Sequence, residues 1–501
     1  MMRSVFWFSH STDLMILHRI NFFFVILNQY IIVTKFFGIL IILVFCLPWN
    51  ALGQEEEKEI QSFPPIGTLR AEESYLYLDS IEKNMIFLQP LKLITINREN
   101  NVFLTLGGEY RARAEHYTNE NYTDRDLTYY SQRVNLHTSL TLSTKFRLFG
   151  ELYSGYVTGN EDIILESDEI DLHQGFLEWK PINSSGFTAT VRLGRQEIGY
   201  GASRIVGIRE GPNMRRSFDM ARIIIQKNNS SIDLLYGKEV TIAPFSFDNT
   251  SNIFKSDTSN PIFWGVYYRR PFLGDRGKLD LYYFGFHANS SRFNDVLGEE
   301  TRHSFGARSF STKGRLSYNT EIIIQLGKLD NSDIFAYNIE TDWKYTIVKN
   351  GWKPKLGIKA DWSSGDQRVE DGKIGTFNPI FVNPAIYSLA AVNTPANITS
   401  LHPNFTFYPL EGLTIYMDYA FFYRTQSNDG LYTPPRFLTR EANGIRTKHI
   451  GDVFGLQVSY EINRTISFDL RSSYFIAGQF IKASGNSENT FYIAPTLSFK
   501  F

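Results

Sequence analysis

The stretch LGGEYRARAEH, Leu106 to His116, carries Glu109, Arg111, Arg113 and Glu115 at every second position, with Gly108, Tyr110, Ala112 and Ala114 between them. At that spacing the charged groups line one face of a strand, because successive strand side chains point to opposite sides. Elsewhere Arg133 and His137 oppose Val134 and Leu136, and Arg147 and Glu151 oppose Phe146, Leu148 and Leu152. Near the end, Asp418 opposes Met417 and Tyr419, while Asp469 and Arg471 oppose Phe468 and Leu470. Rows of arginine can bind carboxylates, since the planar guanidinium fork matches two oxygens and stays charged at any relevant pH. The interleaved acids would hold the arginines in position and keep attraction modest. For any single arginine, a ladder of ion pairs that only stiffens the wall is an equally weighted reading.

Positioning these residues requires strands with one apolar and one polar face. RVNLHTSLTL, followed by Ser143-Thr144 and a resumed alternation, reads as a hairpin with a tight turn. The pattern continues to the terminal FYIAPTLSFKF, where Phe491, Ile493, Leu497, Phe499 and Phe501 oppose Thr496, Ser498 and Lys500. Short connections such as YPLEG and YEINRT alternate with long polar ones at 155–170, 363–400 and 425–450. An apolar sheet face needs a second layer to cover it, and no helical stripe or second set of strands supplies one. Lipid does. The expected fold is all-β, a transmembrane antiparallel barrel with short periplasmic turns and long extracellular loops. Turning an Arg or Lys toward the bilayer centre costs roughly 2–4 kcal/mol, so the charges face the lumen.

Composition agrees with a membrane strand protein. Aromatic residues make up 15% of the 501-residue chain, and such residues favour strands and the headgroup level of a bilayer. A formal net charge of -1 gives no electrostatic reason to expect nucleic acid. Cys46 is the single cysteine, which excludes disulfides and thiolate metal sites. It lies in KFFGILIILVFCLPWNALGQ, which has the basic flank, apolar core and small-residue cleavage site of a secretory signal. The expected organisation is a signal peptide over 1–53, a charged periplasmic leader over 54–91 and a barrel over 92–501. Because NFFFVILNQYIIV precedes the signal, a true start near Val33 is favoured over an extra anchor helix.

LKLITINRENNVFLTLGGEYRARAEH, GRQEIGYGASRIVGIREGPNMRRSFDMAR, SSGDQRVEDGKIGTFNPIF, YAFFYRTQSNDGLY and YFIAGQFIKASG follow one another in this order. Together they resemble the alginate export family of outer-membrane porins, from Lys92 to Phe501. The resemblance implies a monomer of about eighteen strands in the bacterial outer membrane, with an arginine-lined lumen that passes an anionic polysaccharide. It adds Arg195, Glu197, Arg204, Arg216, Asp219 and Arg222 of the central motif to the pore-lining candidates Arg111, Arg113, Arg133, Arg147 and Arg471. Arg195 and Glu197 share the parity of lipid-facing Val191 and Leu193, so the strand is expected to bulge near Gly194 or leave the membrane there. The segment would then fold partly inward and constrict the passage. Phe501 matches the terminal aromatic that outer-membrane barrel-assembly machinery reads.

No enzyme signature appears. Nothing near His137 in sequence forms a triad. Asp361, Asp366 and Asp371 crowd one loop but lack calcium-loop spacing, so a solvated acidic loop is favoured over calcium and no cofactor is expected. The alternatives to a saccharide conduit are a general or anion-selective porin for small solutes, and an outer-membrane barrel enzyme such as a lipase.

Overall fold

Alternation becomes eighteen antiparallel strands closed on themselves. The computed structural model describes residues 64, 66–80, 88–160, 165–251, 260–272, 276–390, 393–434 and 436–501, so the expected signal segment lies outside the described residues. In chain order the ring comprises β1 (Val102–Thr118), β2 (Leu127–Thr141), β3 (Phe146–Thr158), β4 (Asp168–Ser184), β5 (Phe187–Gln196) and β6 (Phe218–Lys227). It continues through β7 (Ser230–Glu239), β8 (Ile262–Phe272), β9 (Gly277–Phe293), β10 (Val296–Ser311), β11 (Leu316–Leu329) and β12 (Ser332–Thr346). It ends with β13 (Lys355–Ser363), β14 (Ile398–Phe407), β15 (Leu413–Arg424), β16 (His449–Glu461), β17 (Ile466–Ala477) and β18 (Thr490–Lys500).

Closure joins the first and last of these. Glu109 faces Lys500 and Arg113 faces Thr496 across an antiparallel ladder. Phe501 completes it by exchanging both backbone hydrogen bonds with Gly108, at 3.0 and 3.1 Å. No sheet edge is left in the ring, which is what allows strands to stand in hydrocarbon. Along β2, Leu136 is 54% exposed while its neighbours Asn135 and His137 are buried, so the apolar face is the outer one.

Two features depart from the simple alternating plan. On the long-loop end, β9–β10 and β11–β12 are joined by two-residue turns, at 294–295 and 330–331. Asn294 and Asp330 there take φ of 49° and 50°, the left-handed conformation that tight hairpins require. The inner wall is also not uniformly polar. Phe218, Met220, Leu235, Phe263, Phe284, Phe286 and Ile323 form a buried apolar sector with Ile205, Val206, Ile380 and Phe381, which come from loops rather than strands.

Candidate functional site

The lumen is shaped by two of its long connections. Strand β5 runs to Gln196 without a register shift near Gly194, whose φ of 129° and close approach to the Gly175 carbonyl exclude a side chain. Residues 197–217 then turn inward and lie against β1–β4. Arg111 donates to the carbonyls of Glu210 at 2.8 Å and Pro212 at 3.1 Å, and to Asn213 Oδ1 at 3.1 Å. Arg113 donates to the Gly211 carbonyl. Arg133 binds Glu109 at 2.7 Å and also reaches Glu210. Arg215 of the loop grips Glu210 at 2.5 Å and approaches Glu109 and Glu197 at 3.7 and 3.8 Å. Burial alone would raise the Glu210 carboxyl, but Arg133, Arg215 and Arg111 hold it well below the usual carboxylate range.

The second inward connection, 364–397, meets the first. Phe381 and Val206 form an isolated parallel bridge, in which Gly207 N–H donates to the Phe381 carbonyl and Phe381 N–H to the Ile205 carbonyl, each at 2.8 Å. Phe381 lies edge-on to Phe218 and Phe263, with ring centres 5.0 and 5.2 Å away. Arg216 covers the same ring at 4.9 Å and pairs with Glu239 at 2.7 Å. Arg204 pairs with Glu340 across the lumen and sits 5.5 Å from the Tyr387 ring. Arg222 binds Asp233 at 2.5 Å.

The leader contributes a third lumenal element, which the sequence pattern did not signal. Arg70 donates to the carbonyls of Gly108 and Phe501 at 3.1 and 2.7 Å. Arg192 pairs with Glu72 at 2.8 Å, Arg147 donates to the Ala71 carbonyl at 2.9 Å, and Arg215 donates to Thr68 at 3.1 Å. Ala71 is buried on Phe149 and Phe176.

These contacts re-assign most of the candidate residues. Arg111, Arg133, Arg204 and Arg216 face inward but are buried as braces for the loops, as are Arg113, paired with Glu115, and Arg222. Arg147 is committed to Glu178 and the leader, Glu151 to Gln174, and Glu197 to His173 at 2.8 Å. Arg195 and Asp219 do not line the lumen. They are cross-strand partners held by a two-pronged pair at 2.9 and 3.0 Å, on the same outer face as exposed Leu193, because the ladder keeps its register to the end of β5. Ser251 of the connection 240–261 donates to Asp219 at 2.6 Å, which gives that pair a structural role at the rim.

Apart from Arg147, the candidates that remain partly exposed on the inner face lie on β15 and β17. Asp418 faces His402 at 3.3 Å, and Asp469 accepts from Ser459 at 2.6 Å. Arg471 is partly exposed, and among the described residues it has no hydrogen-bond or ion-pair partner. Arg424 of the same wall is instead buried, donating to the carbonyls of Ser427, Asp429, Ile445 and Thr447. Glu210, Arg215, Phe381 and Arg424 are the residues sequence reasoning did not single out. Glu210 and Arg215 lie inside the quoted central motif, but their partners are distant in sequence.

Among the described residues, two groups bring three metal-ligand side chains within 4.8 Å of one another, Glu151–His173–Glu197 and Asp168–Asp171–Asp248. His173 meets Glu197 at 2.8 Å and Asn249 donates to Asp168 and Asp171, while Glu151 Oε2, Glu197 Oε2, Asp168 Oδ1 and Asp248 Oδ1 are buried without a hydrogen-bond partner among the described residues. Asp361, Asp366 and Asp371 do not converge as a solvated acidic loop. Asp361 is buried on β13 against Asn338, Asp371 accepts from Lys373 N–H, and Asp366 is buried between Asn294 and Gly375. Burial, with Asp429 beside it, pushes the Asp366 carboxyl up to about 6. The folded state therefore holds that proton to higher pH than the unfolded chain does, and this contribution to stability is lost as pH rises from about 4 to about 6. Thermal midpoints measured across this window should fall with pH in the native chain, and Asp366→Asn should flatten the slope. An unchanged slope refutes the assignment.

Comparison with known proteins follows this geometry. The sequence profile of the alginate export family matches residues 102–494. The fold is similar to Pseudomonas aeruginosa OccK9 (OpdG), with a TM-score of 0.54 at 11% identity, covering 79% of this chain and 98% of that one. OpdQ of the same organism gives a TM-score of 0.53 at 11% identity, with the same coverage. OccK2 (OpdF), solved in complex with glucuronate, gives 0.50 at 12% identity over 79% of this chain and 98% of that one. A comparison with curated proteins returns no match.

Proposed function

The chain belongs to the alginate export family of outer-membrane β-barrels, and on that footing we propose that it is a passive channel for an anionic oligo- or polysaccharide of the uronate class. The observation that carries the reading is Arg471, a partly exposed guanidinium on the inner wall with no ion-pair partner among the described residues. Such a group meets a passing carboxylate with two donors and needs no conformational change to do so. Asp469 and Asp418 on the same face keep each encounter weak, as conduction requires. The bound glucuronate of OccK2 is consistent with a carboxylated sugar as ligand of this fold.

A small-solute porin is the second reading. It is favoured by the burial of Arg111, Arg133 and Arg215, which leaves fewer cations open to a solute than the sequence implied. Planar-bilayer recording separates the two: concentration-dependent block by soluble uronate oligomers supports the saccharide channel, and anion current without block supports the porin. Absence of current with hydrolysis of lipid would instead support an enzyme. Arg471→Ala should lower anion permeability roughly fivefold, because a unit charge at 4 Å in water is worth about 1 kcal/mol. Unchanged selectivity would remove Arg471 from the conduction path.

A further inference from the structure

The short-turn end of the barrel carries an uneven distribution of charge. Across β8–β13 three consecutive turns and their flanks expose Arg270, Arg276, Lys313, Arg315, Lys349 and Lys353. Segments 312–315 and 347–354 contain no acid, and 273–276 contains only Asp275. Elsewhere at this end cations are single or stand beside acids, as Lys145 and Lys227 alone and Arg98 with Glu99 and Arg464 with Glu461.

The three turns form one continuous sector. Ser311 Oγ donates to the Arg276 carbonyl at 2.5 Å, and Thr346 N–H donates to the Arg315 carbonyl at 2.7 Å. Adjacent hairpins of one sheet repeat at roughly 10 Å, so the cations stand at a spacing comparable with neighbouring lipid headgroups. Exposed Phe272, Leu316, Tyr345, Val348 and Trp352 lie immediately beside them. Aromatic and aliphatic groups ending in a row of Lys and Arg are the chemistry of a membrane interface, with rings at headgroup level and cations reaching phosphate.

We propose that this sector is a binding site for anionic phospholipid in the periplasmic leaflet, with the Arg and Lys groups of the three turns holding headgroup phosphates. The apolar band distinguishes it from a protein-docking surface: a soluble acidic partner would match the charge and leave Trp352 and Val348 unmatched, whereas acyl chains cover them. The inference rests on the barrel standing in a bilayer and is independent of which solute it passes.

The test is mass spectrometry of the full chain purified in detergent with equal phosphatidylglycerol and phosphatidylcholine. Retained phosphatidylglycerol should exceed phosphatidylcholine by about fivefold or more, since several cations act near the surface together. In Arg276→Gln/Arg315→Gln/Lys349→Gln/Lys353→Gln the ratio should fall to near parity. All four positions are exposed on turns, and heat-modifiable gel migration verifies that the barrel has formed. High salt should reduce the ratio in the unsubstituted chain, a readout needing no variant. Equal retention of the two lipids, or a preference that survives the substitutions, overturns the proposal. Displacement of phosphatidylglycerol by soluble uronate oligomer or by an acidic periplasmic protein also overturns it, in favour of a solute funnel or a docking surface.

Discussion

Arg215→Ala is expected to release the inward connection 197–217 and raise single-channel conductance, with the barrel itself still closed. The guanidinium is fully buried and lies beside Glu210, Glu109 and Glu197, while Thr68 of the leader accepts one of its hydrogen bonds. Removing one partner from a buried ionic cluster leaves the other charges uncompensated, at a cost of about 3–5 kcal/mol. Arg215 ties the loop to Glu109 of β1 and to Thr68 of the leader, beside the contacts that Arg111 and Arg113 make, so the loss should appear as larger, noisier current and as protease cleavage within 197–217. Arg215→Lys should fall between the two, because an ammonium point charge cannot reproduce the fork that spans several acceptors. If conductance and cleavage match the unsubstituted chain, the loop is held by other contacts and the bracing role is refuted.

Phe381→Ala should have an effect of similar size by a different route. The ring is 1% exposed, edge-on to Phe218 and Phe263 and covered by Arg216. Truncating a buried Phe costs about 3–5 kcal/mol from lost burial and the cavity left behind. The bridge to Val206 and Ile205 is short, two backbone hydrogen bonds at 2.8 Å, and cannot by itself offset that loss. The expected result is proteolysis within 364–397 together with a higher conductance, and Phe381→Leu should recover most of the parent behaviour. A resistant loop and unchanged current in Phe381→Ala would show that the two connections do not depend on this contact.

The two variants probe parts of the site with different legibility. Arg111, Arg113 and Arg133 could be assigned to the inner face from their parity alone, and the structure places them there. Their partners could not be read in the same way: Glu210 lies 99 residues from Arg111, and nothing in the local pattern of either marks the contact. Arg195 shows the converse difficulty. Membership of a conspicuous motif suggested the lumen, whereas an unbroken ladder keeps it on the outer face with Asp219.

What the chain's linear order determined by itself was sidedness, the approximate strand plan and the family, because alternation is a local steric property and lipid penalises a charge on the wrong face residue by residue. Tertiary structure alone decided which inward arginines meet solvent. Closure of β1 on β18 brings the leader, two long connections and the inner faces of the strands into one confined space, where each guanidinium takes whichever carboxylate or carbonyl lies nearest. Arg111, Arg133 and Arg215 are thereby buried as braces and Arg471 is left accessible, a difference set by non-local geometry that strand periodicity does not encode.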